Sequence, residues 1–210
     1  LLSGRLTWPA VAMLLESGTP GFDALVAPGH VATIMGPEEW EFVVSRHGIP
    51  AAVAGFTPES LLAAMYSTLR QLIEGRRFLD NCYPEVVRPG GNRTARQQLQ
   101  QALDITDANW RGIGTIPASG FALNRDYQTH DARCAFPSYA DDARKRAGEM
   151  PPGCDCAQVV LGKIYPNDCR LFGAACQPRH PIGPCMVSDE GACRIWWSGG
   201  MREPGIRASS

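Results

Sequence analysis

No paired C-x2-C knuckle occurs anywhere in these 210 residues, although eight of them are cysteine. The spacing that structural zinc sites most often use is therefore missing. Net charge is missing too: 20 Lys and Arg against 21 Asp and Glu leave a formal −1, so there is no broad basic field for nucleic acid or for a membrane surface. No apolar run approaches the ~20 residues of a membrane-spanning helix. The opening "LLSGRLTWPAVAMLLES" is interrupted by Arg5 and Pro9 and ended by Glu16, which is wrong for an export signal. The chain does not open on methionine, its first residues read as mid-chain sequence, and further sequence upstream is the expectation. No internal repeat, low-complexity tract, Ser-His-Asp arrangement, phosphate-cradling loop or nucleotide fingerprint stands above chance. What remains, with 44% hydrophobic and 20% charged residues, is globular composition in a chain long enough for a real core. The expectation is a soluble, cytoplasmic protein that binds neither nucleic acid nor membrane.

The first 148 residues alternate short apolar stretches with helical periodicity, which predicts an α/β domain with a mostly parallel sheet. Pro9 suits the first turn of a helix carrying Val11, Leu14 and Leu15, with Gly18 at its end. A brief strand over 23–27 runs into the Pro28-Gly29 turn, and a helix is expected over 38–47. "AAVAGF" at 51–56 reads as a buried strand. Thr57 and Pro58 then supply an N-cap and a first-turn proline to a helix with Leu61, Leu62, Met65, Leu69, Leu72 and Ile73 on one face, stopping before Gly75. "FLDNCYPEVV" is extended, "PGGN" at 89–92 is a turn, 93–103 is helical, and 110–123 suits an irregular strand and loop. Charged residues crowd 141–149 and mark a boundary. Residues 149–197 form an irregular cysteine-rich module, and 198–210 a tail expected to be disordered.

Six of the eight cysteines fall in that module as C-x-C-x12-C-x6-C-x8-C-x7-C: Cys154, Cys156, Cys169, Cys176, Cys185 and Cys193. A disulfide framework needs an oxidising compartment, and nothing in the chain supplies export. The Asn92-Arg93-Thr94 triplet matches a glycosylation acceptor, but so short a triplet recurs by chance. An iron-sulfur cluster takes four thiolates at irregular spacings, which leaves two over. A turn at Pro152-Gly153 is expected to splay Cys154 from Cys156, so that one ligates and the other stays free. Cys169 and Cys176 flank "RLFGAA", a compact turn, and the last ligand comes from Cys185 or Cys193. The two unused thiols then form a dithiol that opens and closes with electron transfer.

These residues resemble a known family. "GPCMVSDEGAC" (183–193), with "GCDC", "CRLFGAAC" and "WRGIGTIPASG" before it, is similar to the C-terminal part of the hydrogenase maturation factor HypD family. "APGHVATIMG" (27–36), "VAGFTPESLL" (53–62) and "GGNRTA" (90–95) resemble that family's middle domain. The resemblance implies a scaffold on which the iron centre of nickel-iron hydrogenase, with its cyanide and carbon monoxide ligands, is assembled together with a HypC-type chaperone, HypE and HypF delivering the cyanide. It further implies a [4Fe-4S] cluster in surroundings similar to those of ferredoxin-thioredoxin reductase, with Cys154, Cys169, Cys176 and Cys193 as its ligands and Cys156 and Cys185 as the redox-active pair. Ala157 replaces the family's usual glycine, "GFEP" reads "GFTP" at 55–58, and "TPENP" reads "QPRHP" at 177–181. The family's N-terminal domain has no counterpart in these residues. A cluster-dependent thiol-disulfide reductase and a structural zinc module are the competing functions.

His30 follows Pro28-Gly29 at a strand end, where α/β sheets commonly place ligands. By the same resemblance His30, Gly29 and Gly55, with Phe56 beside them, line the iron-assembly cleft. Asn92 reads as a turn residue. Cys82 and Cys134 read as small buried hydrophobes, and Trp110, Trp196 and Trp197 as packing residues that shield the cluster.

Overall fold

The computed structural model describes residues 4–16, 18, 20–139 and 150–202. They divide into two units, one of residues 1–108 with 116–135, the other of 109–115 with 136–210. The expected boundary after residue 148 lies outside the described residues, as does the tail beyond 202.

The first unit is built on a parallel sheet of β2 (Leu25–Pro28), β3 (Ala51–Ala54) and β4 (Leu79–Asn81), in the order β2-β3-β4. The register runs from Leu25 opposite Ala51 to Pro28 opposite Ala54, and Ala51 faces Leu79 on the other side. β3 is buried at every residue, and its alternation sorts its side chains between two layers. Ala51 and Val53 point into a core with Leu15, Ala32, Trp40 and Val43, drawn from α1 (Thr7–Glu16), α2 (Gly29–Met35) and the turn of helix that leads into α3 (Glu41–Ser45). Ala52 and Ala54 point the other way, against Ala64 of α4 (Pro58–Glu74). The sequence places a Pro-Gly turn after β2. The structure instead starts α2 at Gly29 itself, a direct strand-to-helix entry.

α4 keeps the expected ends. The Thr57 side chain accepts from Ser60 N, Pro58 opens the first turn, and Gly75 closes the helix in the left-handed region at φ 67°. Its packing is the reverse of what apolar periodicity implies. Ser60, Ala64, Thr68 and Gln71 are buried on the sheet, whereas Leu62, Met65, Leu69 and Ile73 are exposed, Ile73 at 84%. The alanines of β3 explain this: where strand side chains are single methyl groups, a helix approaches close enough that only small or hydrogen-bonded residues fit. Ser60 Oγ accepts from Gly55 N and donates to Cys82 O, both at 2.8 Å, so one hydroxyl ties together the ends of β3 and β4. Gln71 Oε1 accepts from Phe78 N at 2.9 Å.

Asn92 caps α5 (Arg93–Ala102) by accepting from Ala95 N at 3.0 Å. β1 (Gly4–Arg5), β5 (Leu103–Trp110) and β6 (Gly114–Leu123) form a second sheet in the order β1-β6-β5. The stretch expected to be irregular at 110–123 is thus mostly regular strand. A short helix, α6 (Ala132–Ala135), ends the unit.

The second unit has only short helices: α7 (Cys156–Val160), α8 (Pro184–Val187) and α9 (Ala192–Ser198). Its buried centre is Cys156, Val159, Cys169, Phe172, Cys176, Cys185, Met186 and Cys193. Five of those eight are thiols, so sulfur takes the place that aliphatic side chains fill elsewhere. An α/β domain followed by an irregular cysteine-rich module is what the structure shows.

The inverted packing of α4 sets one expectation. Ala64→Leu should cost about 1–3 kcal/mol by overpacking against β3, while Leu69→Gln should change stability by no more than ~0.5 kcal/mol. Urea unfolding of both variants checks this; a larger loss from Leu69→Gln would mean that side of α4 is covered.

Candidate metal centre

The six cysteines of the module reach its centre from five short segments. Gly153, left-handed at φ 80°, turns the chain so that Cys154 N bonds Pro151 O at 2.9 Å, and two residues later Cys156 opens α7. The two sulfurs do not splay as the sequence suggests. A Cβ added at Gly183 would collide with Cys154 Sγ and stand 2.6 Å from Cys156 Sγ. The chain entering α7 at Cys156 keeps the pair together where the turn at Pro152-Gly153 is expected to splay them. Cys169 follows a short turn of helix over Pro166–Asp168, and its Sγ lies 3.9 Å from Gly153 O.

"RLFGAA" is the compact turn expected. Phe172 N bonds Cys169 O at 2.9 Å, Cys176 N bonds Leu171 O at 2.8 Å, and Gly173 supplies a left-handed residue at φ 75°. Cys176 Sγ accepts from Ile182 N at 3.4 Å. Cys185 sits in α8 and Cys193 in α9, joined by a turn whose Gly191 is pressed so closely on the Cys185 carbonyl that a Cβ there would overlap it.

All six thiols are free. Cys156, Cys185 and Cys193 hydrogen-bond one another through their side chains, and this network divides their acidities. Donation from Cys156, then from Cys193, lowers the pKa of Cys185, while bonding to Cys156, then to Cys185, raises Cys193, and bonding to Cys185 raises Cys156. Burial pushes Cys154 up to about 12. Among the described residues, no three His, Cys, Asp or Glu side chains are grouped as ligands of a single ion.

Three observations show that the surroundings suit a bound sulfur-ligated cluster. Gly183 leaves open a space that a methyl group would fill, directly against two sulfurs. The Ile182 amide donates to a third, the Sγ of Cys176. Trp196 packs against the thiol core with its indole Nε1 buried and without a hydrogen-bond partner, a donor left for an acceptor such as sulfide. Tyr165 lies on Trp196 at 5.6 Å between ring centroids, and Phe172 meets Trp197 at 5.9 Å. That Trp196 buries its indole N–H without a partner is invisible in sequence, because nothing there shows which indole loses its solvent.

His30, Gly29 and Gly55 lie in the first unit, at the carboxyl ends of β2 and β3. His30 is exposed and stacks on Phe56 with centroids 4.2 Å apart. The glycines have a packing reason of their own. A Cβ on Gly29 would stand 2.8 Å from Tyr83 Cδ1, and one on Gly55 2.9 Å from Tyr83 Cε2. Tyr83, which the sequence hides in an extended stretch, fills the space beside both. Cys82 is half-buried, pushed up to about 11 by burial and the neighbouring Asp80. Cys134 corrects the expectation of burial: it is exposed, at the end of the first unit.

A parallel α/β unit followed by a module cored by free thiols is the class of protein that the fold defines. The comparison with known proteins sharpens that class. The model of the HypD family, described as "Hydrogenase formation hypA family", matches residues 1–200, and the chain belongs to this family. It is 38% identical over 194 residues to the hydrogenase maturation factor HypD of Escherichia coli K12, covering 90% of this chain and 50% of that protein. It is 37% identical over 202 residues to the hydrogenase maturation factor HypD2 of Bradyrhizobium diazoefficiens, covering 93% and 52%. With HypD of Rhodobacter capsulatus it shares 36% over 195 residues, covering 91% and 51%. The chain spans about half the length of the curated relatives it matches.

Two outcomes follow from this geometry. Gly183→Ala should displace Cys154 and Cys156 and abolish iron uptake in anaerobic reconstitution; a variant that loads iron like the parent would show that the Gly183 space is not needed. In the unloaded chain at pH 8, iodoacetamide should alkylate exposed Cys134 well before Cys82, as read by peptide mass mapping.

Proposed function

We propose that this chain is an iron-sulfur scaffold in the maturation of nickel-iron hydrogenase, with a [4Fe-4S] cluster held by Cys154, Cys169, Cys176 and Cys193. The observation that carries this reading is the convergence of six free thiols in one buried core, two more than a cube needs. Family membership supplies the biological setting, since the relatives are named hydrogenase maturation factors. The cargo is an iron carrying cyanide and carbon monoxide ligands, received in a cleft lined by His30, Gly29 and Gly55. A HypC-type chaperone is the assembly partner, and HypE and HypF are the cyanide donors. Free thiols in this number suit the reducing cytoplasm. No helix among the described residues is long and apolar enough to cross a membrane.

When bound, the cluster supplies one-electron transfer. The chain's own groups do the rest. Gly183 and Gly191 keep side chains out of the sulfur core, Trp196 and Trp197 cover it, and Cys156 with Cys185 store two electrons as a dithiol that closes to a disulfide with loss of two protons. A cluster-dependent disulfide reductase is the second reading, favoured by the hydrogen bond between Cys156 and Cys185. Structural zinc is the third.

Anaerobic purification with metal and sulfide analysis tests these readings. The expected content is about four irons and four sulfides per chain; one zinc without sulfide would overturn the cluster. Cys169→Ser should abolish the visible absorption, while Cys156→Ser should keep it. Equal loss in both would mean the ligands are divided differently. Chelation should open the second unit to protease while the first stays resistant, because binding and folding of so small a module are coupled.

A further inference from the structure

Two indole N–H groups among the described residues are buried without a hydrogen-bond partner, on Trp40 and Trp196. Buried donors are nearly always paired, so each exception needs a reason. Trp40 sits among Leu15, Val43 and Val53 in the core of the first unit. Trp196 instead lies against the thiol core of the second. It stands three residues after Cys193 in α9, a spacing that puts both on one face of the helix, and Cys193 is buried, so that face looks into the sulfurs. The indole is held there. Tyr165 lies on its ring with the planes tilted by 30°, and Met201 N donates to the Trp196 carbonyl at 3.2 Å. Trp197 packs on the same core, with its ring edge-on to Phe172 and the Arg202 guanidinium 6.0 Å from its centroid, but its N–H is not among the buried unpartnered groups.

We propose that the Trp196 indole N–H donates a hydrogen bond to a sulfur of the bound cluster and thereby holds the cluster's reduction potential up. The proposal rests on the reading that the thiol core holds an iron-sulfur cluster. Reduction adds one negative charge, which spreads over iron and sulfur. A donor aimed at sulfur stabilises the more negative state more than the oxidised one, so the potential rises. Burial strengthens the effect, because the donor acts in a low dielectric and has no water to satisfy it instead. A second N–H already meets this core, Ile182 N on Cys176 Sγ at 3.4 Å. That one belongs to the backbone and survives any change of side chain, whereas the indole is a donor that a single substitution removes. Trp196 is therefore a tuning residue: it ligates no iron, stores no electron and releases no proton.

The test is a redox titration of the anaerobically reconstituted chain, followed by electron paramagnetic resonance of the reduced cluster. Trp196→Phe keeps an aromatic ring beneath Tyr165 and removes the donor. It should load iron and sulfide like the parent and lower the midpoint by about tenfold in the reduction equilibrium, ~59 mV for one electron. Trp197→Phe should leave the midpoint where it is. A second measurement needs no variant at position 196. With the indole nitrogens of tryptophan isotope-labelled, hyperfine spectroscopy of the reduced cluster in the parent chain should show a coupling to labelled nitrogen, and the coupling should persist in Trp197→Phe. No such coupling in the parent, its loss in Trp197→Phe, or equal midpoints for the parent and a fully loaded Trp196→Phe would each overturn the assignment. Zinc without sulfide in the parent would overturn the cluster reading beneath it.

Discussion

The second unit depends on one constraint: six sulfur atoms share a centre that too few aliphatic side chains could fill. Helices of four to seven residues have little propensity to stand alone, so α7, α8 and α9 are held by what they deliver to that centre. Each brings at least one cysteine. Close approach of the sulfurs is possible only because the backbone facing them is glycine, at 183 against Cys154 and Cys156 and at 191 against the Cys185 carbonyl. Crowded thiols that must share hydrogen bonds and burial respond by separating in acidity, with Cys185 lowered and Cys193 raised. The same crowding suits both a sulfur-ligated cluster and a dithiol beside it.

The first unit obeys a related rule with different atoms. β3 carries only alanine and valine, so the layers on its two faces come in close and select what can lie there. On one face Trp40 and Val43 supply bulk at a distance. On the other, α4 touches through Ser60, Ala64 and Thr68 and leaves its leucines to solvent. Close approach also brings polar groups into reach. The Ser60 hydroxyl bonds Gly55 N and Cys82 O at the carboxyl end of the sheet, where Gly29 and Gly55 admit the Tyr83 ring and His30 stacks on Phe56. An end of the sheet so fully specified is a rigid platform for the side chains it presents.

Much of this was open to reading in the linear chain. The parallel sheet, the Thr57, Pro58 and Gly75 ends of α4, the Asn92 turn and the irregular cysteine module all follow from local signals: caps, prolines, glycines and apolar runs. Those signals are legible because each acts over a few residues. So too is the six-thiol motif, whose length makes the family resemblance specific.

What the chain order could not reveal was decided by residues far apart in sequence. That α4 would bury its polar side required knowing that its neighbour was Ala52 and Ala54. That Cys154 and Cys156 would converge required Gly183, some thirty residues on. That Cys156 and Cys185 alone of the six would border a cavity required the tip between β5 and β6 at Trp110 and Arg111. Composition and spacing determine which chemistry is available and where each local element begins and ends. Which side chains are desolvated, and which sulfur meets which, is set by steric exclusion between non-neighbouring segments, a property of the packed molecule alone.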